Sequence, residues 1–130
     1  MGENAEKAVM AHQSGCNCSQ AVAATFCEKY GIAREDVMRM AAAFGGGMRR
    51  GEVCGAVTGA LMVLGMKHGA RDSGDKARKA EADAKTAEFM KTFQERHGSY
   101  LCRELIKAAG RKVCPEVIAG AADILDEFGC

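Results

Sequence analysis

The chain has 130 residues, with 18 basic and 17 acidic side chains and a net charge of +1. That balance argues against nucleic acid or an anionic membrane as its main partner, and without Trp and with only five Phe and two Tyr it lacks the aromatic surface on which bases stack. The length fits a single domain over residues 1–130, large enough to bury about two-thirds of its unfolded surface without staples.

Helical periodicity runs through the chain and no stretch alternates as a strand. The sequence therefore predicts an all-α fold, a compact bundle of six to seven helices around a buried central one. The opening MGENAEKAVMAHQSG has no basic patch followed by an apolar core, as a signal peptide requires. Glu6 also stands where an N-myristoylation signal needs Ser or Thr. Residues 4–13 read instead as a first helix, with Ala5, Ala8, Val9 and His12 on one side and Gly15 as its stop. Asn17 caps a second helix, and Gln20 three residues on makes a capping box. Val22, Phe26 and Tyr30 form its inner stripe, and Gly31 ends it. A third helix over residues 33–44 carries Glu35 and Asp36 in its first turn, where the helix dipole favours acids, and turns Val37, Met40, Ala41 and Phe44 inward.

The stretch FGGGMRRGEVCGAVTGALMVLG, residues 44–65, is the expected centre. Gly45 to Gly47 are costly to order and belong in a loop. From Cys54 to His68 the chain is apolar on nearly all sides, as a core helix is. Gly55 and Gly59 leave one side bare, open to another backbone or to a bulky ligand. Its longest apolar run, residues 56–66, is too short to span a bilayer, so the expectation is a soluble, cytoplasmic chain without membrane insertion. Residues 71–85 read as a connector and the wet start of a long fifth helix, whose apolar face is Ala82, Phe89 and Phe93 and whose stop is Gly98. Ser99 caps a sixth helix over residues 100–109, with Leu105 and Ile106 inward. Cys114-Pro115-Glu116 opens the last helix with proline at its first position, followed by a stripe of Val117, Ile118, Ala121, Ile124, Leu125 and Phe128.

Seven cysteines, at 16, 18, 27, 54, 102, 114 and 130, are many for this length. An odd number without a secretion signal points to metal binding or redox chemistry rather than to a disulfide framework. Cys18, Cys54, Cys102 and Cys114 all fall at helix starts, where free N–H groups and the dipole favour thiolate, the form that binds metals and attacks disulfides. Each shares an inward stripe: Cys18 with Val22 and Phe26, Cys54 with Val57 and Leu61, Cys102 with Leu105 and Ile106, Cys114 with Val117 and Ile118. If the four ends meet, they could hold an iron–sulfur cluster or a tetrahedral zinc ion, or cycle between dithiol and disulfide. The plainest alternative is four small apolar core residues. No C-x-x-C and no familiar ferredoxin or zinc-ribbon spacing decides among these.

Of the other cysteines, Cys16 reads as an auxiliary or resolving thiol, Cys27 as ordinary packing on the opposite face of its helix, and Cys130 as a mobile end without a role. His12, His68 and His97 have no ligand-like spacing. His97 reads as a helix-end histidine favoured by the dipole, near enough in sequence to Cys102 to tune it. The eight methionines read as core filler. A haem-attachment motif, a Walker loop and a serine elbow are all missing, and the triple glycine lacks the Lys-Ser/Thr of a phosphate loop.

The segments GCNCSQAV, GGGMRRGEVCGAVTGALMVLG and SYLCREL, followed by the late Cys114, resemble the family of redox-active proteins named for its C_GCAxxG_C_C pattern. The CGAxxG core stands here as Cys54-Gly55-Ala56-Val57-Thr58-Gly59, the first family cysteine falls on Cys18 and the last two on Cys102 and Cys114. The resemblance runs from about Gly15 to Leu125 and selects the same four cysteines as the helix-start argument. It implies a small helical bacterial or archaeal protein that is redox-active, with no one reaction attached. Similar domains occur with split-Soret cytochromes, where an iron–sulfur cluster has been proposed beside the haems; without a haem motif, only the cluster carries over.

Three readings follow. In the first, Cys18, Cys54, Cys102 and Cys114 hold an iron–sulfur cluster for electron transfer, with Gly45 to Gly47, Gly55 and Gly59 giving it room and Arg49, Arg50 and Arg103 offsetting thiolate charge. In the second, Cys54 attacks a disulfide and Cys102 or Cys18 resolves it. In the third, the domain is a scaffold with structural zinc or no metal. No residue is assigned a separate catalytic role, the redox partner is unnamed, and a homodimer is left open.

Overall fold

A computed structural model describes residues 2–130. Seven α-helices follow in order: α1 (Glu3–Gln13), α2 (Cys18–Phe26), α3 (Arg34–Met40), α4 (Gly55–His68), α5 (Lys76–His97), α6 (Cys102–Ala109) and α7 (Val113–Glu127). The all-helical bundle read from periodicity is the fold found. Among the described residues the nearest approach to a strand is an isolated antiparallel bridge between Val53 and Leu101.

α4 is the central helix. It packs against α2 on one side and against α5 and α7 on others, while α1 closes the far side over α2 and α7. Ala56, Val57, Ala60, Val63 and Leu64 of α4 are buried all round its barrel, because a helix without a polar face has nothing to offer water. Phe89 and Phe93 of α5 are fully buried and stack at 6.1 Å, with Phe128 edge-on to Phe89 at 6.2 Å. Val117, Ile118, Ile124 and Leu125 of α7 complete this core. Each such side chain contributes about 1.5–3 kcal/mol by leaving water, so this core is a major source of stability.

Several boundaries follow the local chemistry. Asn17 and Gln20 form the expected capping box at α2, Gln20 N–H to Asn17 Oδ1 at 2.8 Å and Asn17 N–H to Gln20 Oε1 at 3.0 Å. Beyond Phe26 the helix tightens into a 3-10 turn, Cys27–Tyr30, and stops at Gly31 in the left-handed region, φ 75°. The last helix begins at Val113, so Pro115 is its third residue rather than its first. This is tolerated because first-turn amides have no intrahelical acceptor to lose. Ser99 does not cap α6, which starts at Cys102 with Leu101 before it. The Ser99 hydroxyl instead accepts from the Leu101 N–H and donates to Glu104 Oε1.

The third helix ends a turn earlier than expected, at Met40, and Met40 is 58% exposed instead of facing the core. Val37 and Ala41 stay buried. Met40 is still helical, but it stands at the edge of the stripe that Val37 and Ala41 make and turns to solvent. The Asn17 amide explains the stop, donating to the freed carbonyls of Ala41 and Ala42 at 3.2 Å each. Cys130 also departs from expectation: it is 5% exposed, and its carbonyl accepts from Lys29 Nζ at 2.5 Å and from the Tyr30 hydroxyl at 3.0 Å. No described helix is long and apolar enough to cross a membrane.

Candidate functional site: a four-cysteine cavity

The bare side of α4 receives the start of α2. A Cβ placed on Gly59 would stand 2.5 Å from the Ser19 carbonyl oxygen, and one on Gly55 would stand 2.9 Å from Cys18 Cβ. No side chain fits in either gap. Gly55 and Gly59 therefore accommodate a neighbouring backbone, and by letting α2 close in they set Cys18 beside Cys54, the residue that caps α4.

A left-handed turn delivers the next cysteine. Gly46, Gly47, Met48 and Arg49 follow one another at φ 62°, 62°, 56° and 59°. Glycine adopts this conformation freely, whereas each L side chain there costs roughly 1–2 kcal/mol. The turn folds Glu52 back so that its N–H reaches the Gly47 carbonyl at 3.1 Å. The chain then pairs for one residue with the entry to α6: Cys54 N–H donates to Tyr100 O and Cys102 N–H to Glu52 O, both at 2.7 Å. Cys114 comes from the tight α6–α7 connection, in which Val113 N–H reaches Gly110 O and Cys114 N–H reaches Arg111 O, each at 3.1 Å.

Cys18, Cys54, Cys102 and Cys114 thereby line one cavity of about 820 Å³. All seven cysteines are free thiols. Cys54 is buried and the other three of the set are half-buried. Burial pushes the Cys18 thiol up to about 12, helped by the charges that Cys114, Cys54 and Cys102 would carry and by a contact with the Cys114 thiol. Burial likewise takes Cys54 to about 11. The amides of Ala56 and Val57 pull the other way without a full capping hydrogen bond to the sulfur, and Cys102 and Cys114 add to the rise. Cys102 is raised by burial and then by Cys114, and lowered by Arg111. Helix starts do favour thiolate here, as the Cys54 amides show, but desolvation outweighs them. For Cys18, Cys54 and Cys102 the expectation of a favoured thiolate is corrected on that ground.

The family model described as "Putative redox-active protein (C_GCAxxG_C_C)" matches residues 16–128, a span that contains all four cavity cysteines. The chain belongs to this family. No curated protein and no solved structure matches it. Within the C_GCAxxG_C_C frame, the CGAxxG segment has a physical reading: its cysteine caps α4 at the cavity, and its two glycines admit α2.

The remaining candidates separate clearly. Cys16 points to Met38 Sδ at 3.9 Å and Arg34 Nη2 at 4.0 Å and is not part of the cavity wall. Cys27 is fully buried with Ala23, Ala24 and Val37, the packing role expected of it. His97 does not reach the cavity. Its ring lies 4.5 Å from the Phe93 ring and against the bare Cα of Gly120, and burial lowers its pKa, so the dipole does not hold it charged as expected. His12, set aside on spacing, does line the cavity. Of the three arginines expected near the thiols, Arg49 and Arg103 line it and Arg50 does not. Lys107 and Arg111 line it as well. Both were missed, although the four-residue step from Arg103 to Lys107 on α6 marks a shared helix face.

Proposed function

We propose that Cys18, Cys54, Cys102 and Cys114 form a redox site that holds an iron–sulfur cluster for electron transfer. The observation that carries this reading is four thiols from four separate helix starts facing one cavity, each of Cys18, Cys54 and Cys102 disfavoured as a thiolate by burial and by its neighbours. Neither Cys18 nor Cys54 has a lysine or arginine among the leading influences on its thiol, and metal ions are what make buried thiols ionise. Among the described residues no three Cys, His, Asp or Glu side chains converge on a single-ion site. One tetrahedral zinc would need sulfurs about 3.8 Å apart, from a Zn–S length of about 2.3 Å. A cluster spreads its four cysteines over several metal ions and so does not need all four sulfurs on one ion.

The chain's own parts have separable roles in this reading. Cys18, Cys54, Cys102 and Cys114 would give up their protons and act as ligands. The Cys54–Tyr100 and Cys102–Glu52 hydrogen bonds hold two of them in register, and Ala56 and Val57 N–H groups stabilise negative charge on Cys54. Once bound, the cluster would supply a reversible one-electron couple whose potential depends on burial and on nearby N–H groups.

One observation supports a second reading. Of the cavity thiols, Cys114 acts most strongly on Cys18, so we take these two as the pair that would form a disulfide, releasing two protons and two electrons to an acceptor disulfide that is reduced to two thiols. Cys54, expected as the attacking thiol, and Cys18, expected as a resolving one, are both held protonated by burial, up to about 11 and about 12, so neither is a ready nucleophile. An absorption spectrum with iron, sulfide and zinc analysis on anaerobically purified protein separates the two. Broad visible bands with stoichiometric iron and sulfide are the expected result. A colourless sample that cannot be reconstituted, yet yields a Cys18–Cys114 disulfide on oxidation, replaces the cluster with the dithiol.

A further inference from the structure

The cavity wall contains no Asp and no Glu apart from the carboxylate of Glu52 reaching in from outside the lining to Arg103 Nη1 at 3.2 Å. Arg49, Lys107 and Arg111 also line the cavity and have no carboxylate partner among the described residues. In a chain whose net charge is only +1, this gathering of cations is local and not a consequence of general basicity.

We propose that the cavity mouth binds a small anion with two negative charges, held by Arg49, Lys107 and Arg111 beside the thiols. The proposal rests on the reading of this cavity as the working site and adds the chemical class of the molecule that meets it. Three observations support it. The volume, about 820 Å³, lies in the range of small-molecule sites, about 300–1,000 Å³. The cations do not serve the deep thiols: burial and the other cysteines dominate Cys18 and Cys54, no arginine or lysine is among their leading influences, and only Cys102 feels Arg111. Arg103 is already engaged, tied to Glu52 and to the Gly51 carbonyl at 3.3 Å, so it forms a fixed wall and leaves the other three to face a ligand. Gly45 and Gly46 line the same mouth without side chains, leaving room for it.

Calorimetric and amide-NMR titration of the full chain with inorganic phosphate and with succinate tests this, at low and high salt, on both metal-loaded and metal-free reduced protein. The expected result is saturable one-site binding, weakened by salt, with shifts at Gly46, Arg49, Lys107 and Arg111. Arg111→Gln and Lys107→Gln should each weaken it about tenfold, the cost of one charge-assisted contact, whereas Lys76→Gln, outside the cavity, should leave it unchanged. Absence of saturation at millimolar probe, or equal weakening by Lys76→Gln, overturns the proposal. Metal content and thiol oxidation are scored on the same samples. Anion binding in a chain that neither takes up metal nor oxidises would sink the redox reading alone, and a redox-active chain that binds no anion would sink this one alone.

Discussion

Cys54 and Cys102 are held in register by their own backbones: the Cys54 amide donates to the residue two before Cys102, and the Cys102 amide donates to the residue two before Cys54, both at 2.7 Å. The pair thus keeps its spacing without a sheet, a disulfide or a metal. Gly47 makes the arrangement possible, since a Cβ there would stand 2.5 Å from Glu52 N and 2.9 Å from Cys102 Cβ, at a φ of +62°.

Gly47→Ala should therefore cost about 2–4 kcal/mol, combining left-handed strain with overpacking. Urea denaturation reads the loss, and faster hydrogen exchange at the Cys54 and Cys102 amides locates it. Gly46→Ala is the matched control. It has a similar φ and nothing within 4 Å of the added carbon, so only the backbone strain of about 1–2 kcal/mol applies. Equal losses would mean that the bridge does not depend on the close approach at Gly47.

The glycines of α4 should divide by what faces them. Gly59→Ala drives a methyl to 2.5 Å from the Ser19 carbonyl oxygen, forcing α2 away at a cost of about 1–3 kcal/mol. Because Cys18 travels with α2, metal content should fall as well. Gly65→Ala meets nothing within 4 Å in the same helix and should stabilise by about 0.5–1 kcal/mol through helix propensity. Thermal melts of the two variants check both signs, and a neutral Gly59→Ala would remove the packing account of the CGAxxG segment.

Most of the bundle was legible because its signals are local. The Asn17–Gln20 box, the stop at Gly31 and the stripe of α7 need no knowledge of what lies across the core. The four cysteines were legible for the same reason, each at a helix start on an inward stripe. The end of α3 was not, because the carbonyls freed there are met by Asn17, which caps a different helix. Cys130 was misread because the groups that bury it, Lys29 and Tyr30, lie a hundred residues away in the chain. The raised thiol pKa values had no local signal either, since helix-start amides are visible in sequence and the depth of a cavity is not.

Cys27 and Cys54 offer a test that separates packing from ligation. Cys27 is fully buried among apolar side chains, its thiol reaching only the Ala24 carbonyl at 3.5 Å. Cys27→Ser should cost about 1–3 kcal/mol by burying a hydroxyl while leaving metal content and absorption as they are. Cys54→Ser should abolish or severely reduce bound metal. Spectra and metal analysis of both variants, each checked for a cooperative melt, decide the matter. Loss of metal in Cys27→Ser, or its retention in Cys54→Ser, would place the ligands elsewhere.

Alkaline pH should weaken the metal-free chain in a defined window. An unfolded thiol ionises near its ordinary value of 9.0, whereas Cys18 and Cys54 in the folded chain hold their protons to about 12 and about 11. Above 9.0 the folded state thus binds more protons than the unfolded one, and stability falls as pH rises, by up to about 1.4 kcal/mol per pH unit for each group. The loss should level off once the pH passes the folded values. Lysine and tyrosine titration overlaps this range, so the comparison that isolates the effect is wild type against Cys18→Ser, whose slope should be shallower by about one group's share. Metal-loaded protein should show the opposite trend in assembly: ligation releases thiol protons, so loading strengthens with pH until the metal itself hydrolyses. Urea titrations between the ordinary thiol value and about pH 11 provide the measurement. Identical slopes for wild type and Cys18→Ser would show that the Cys18 thiol is not held protonated by its burial in the cavity.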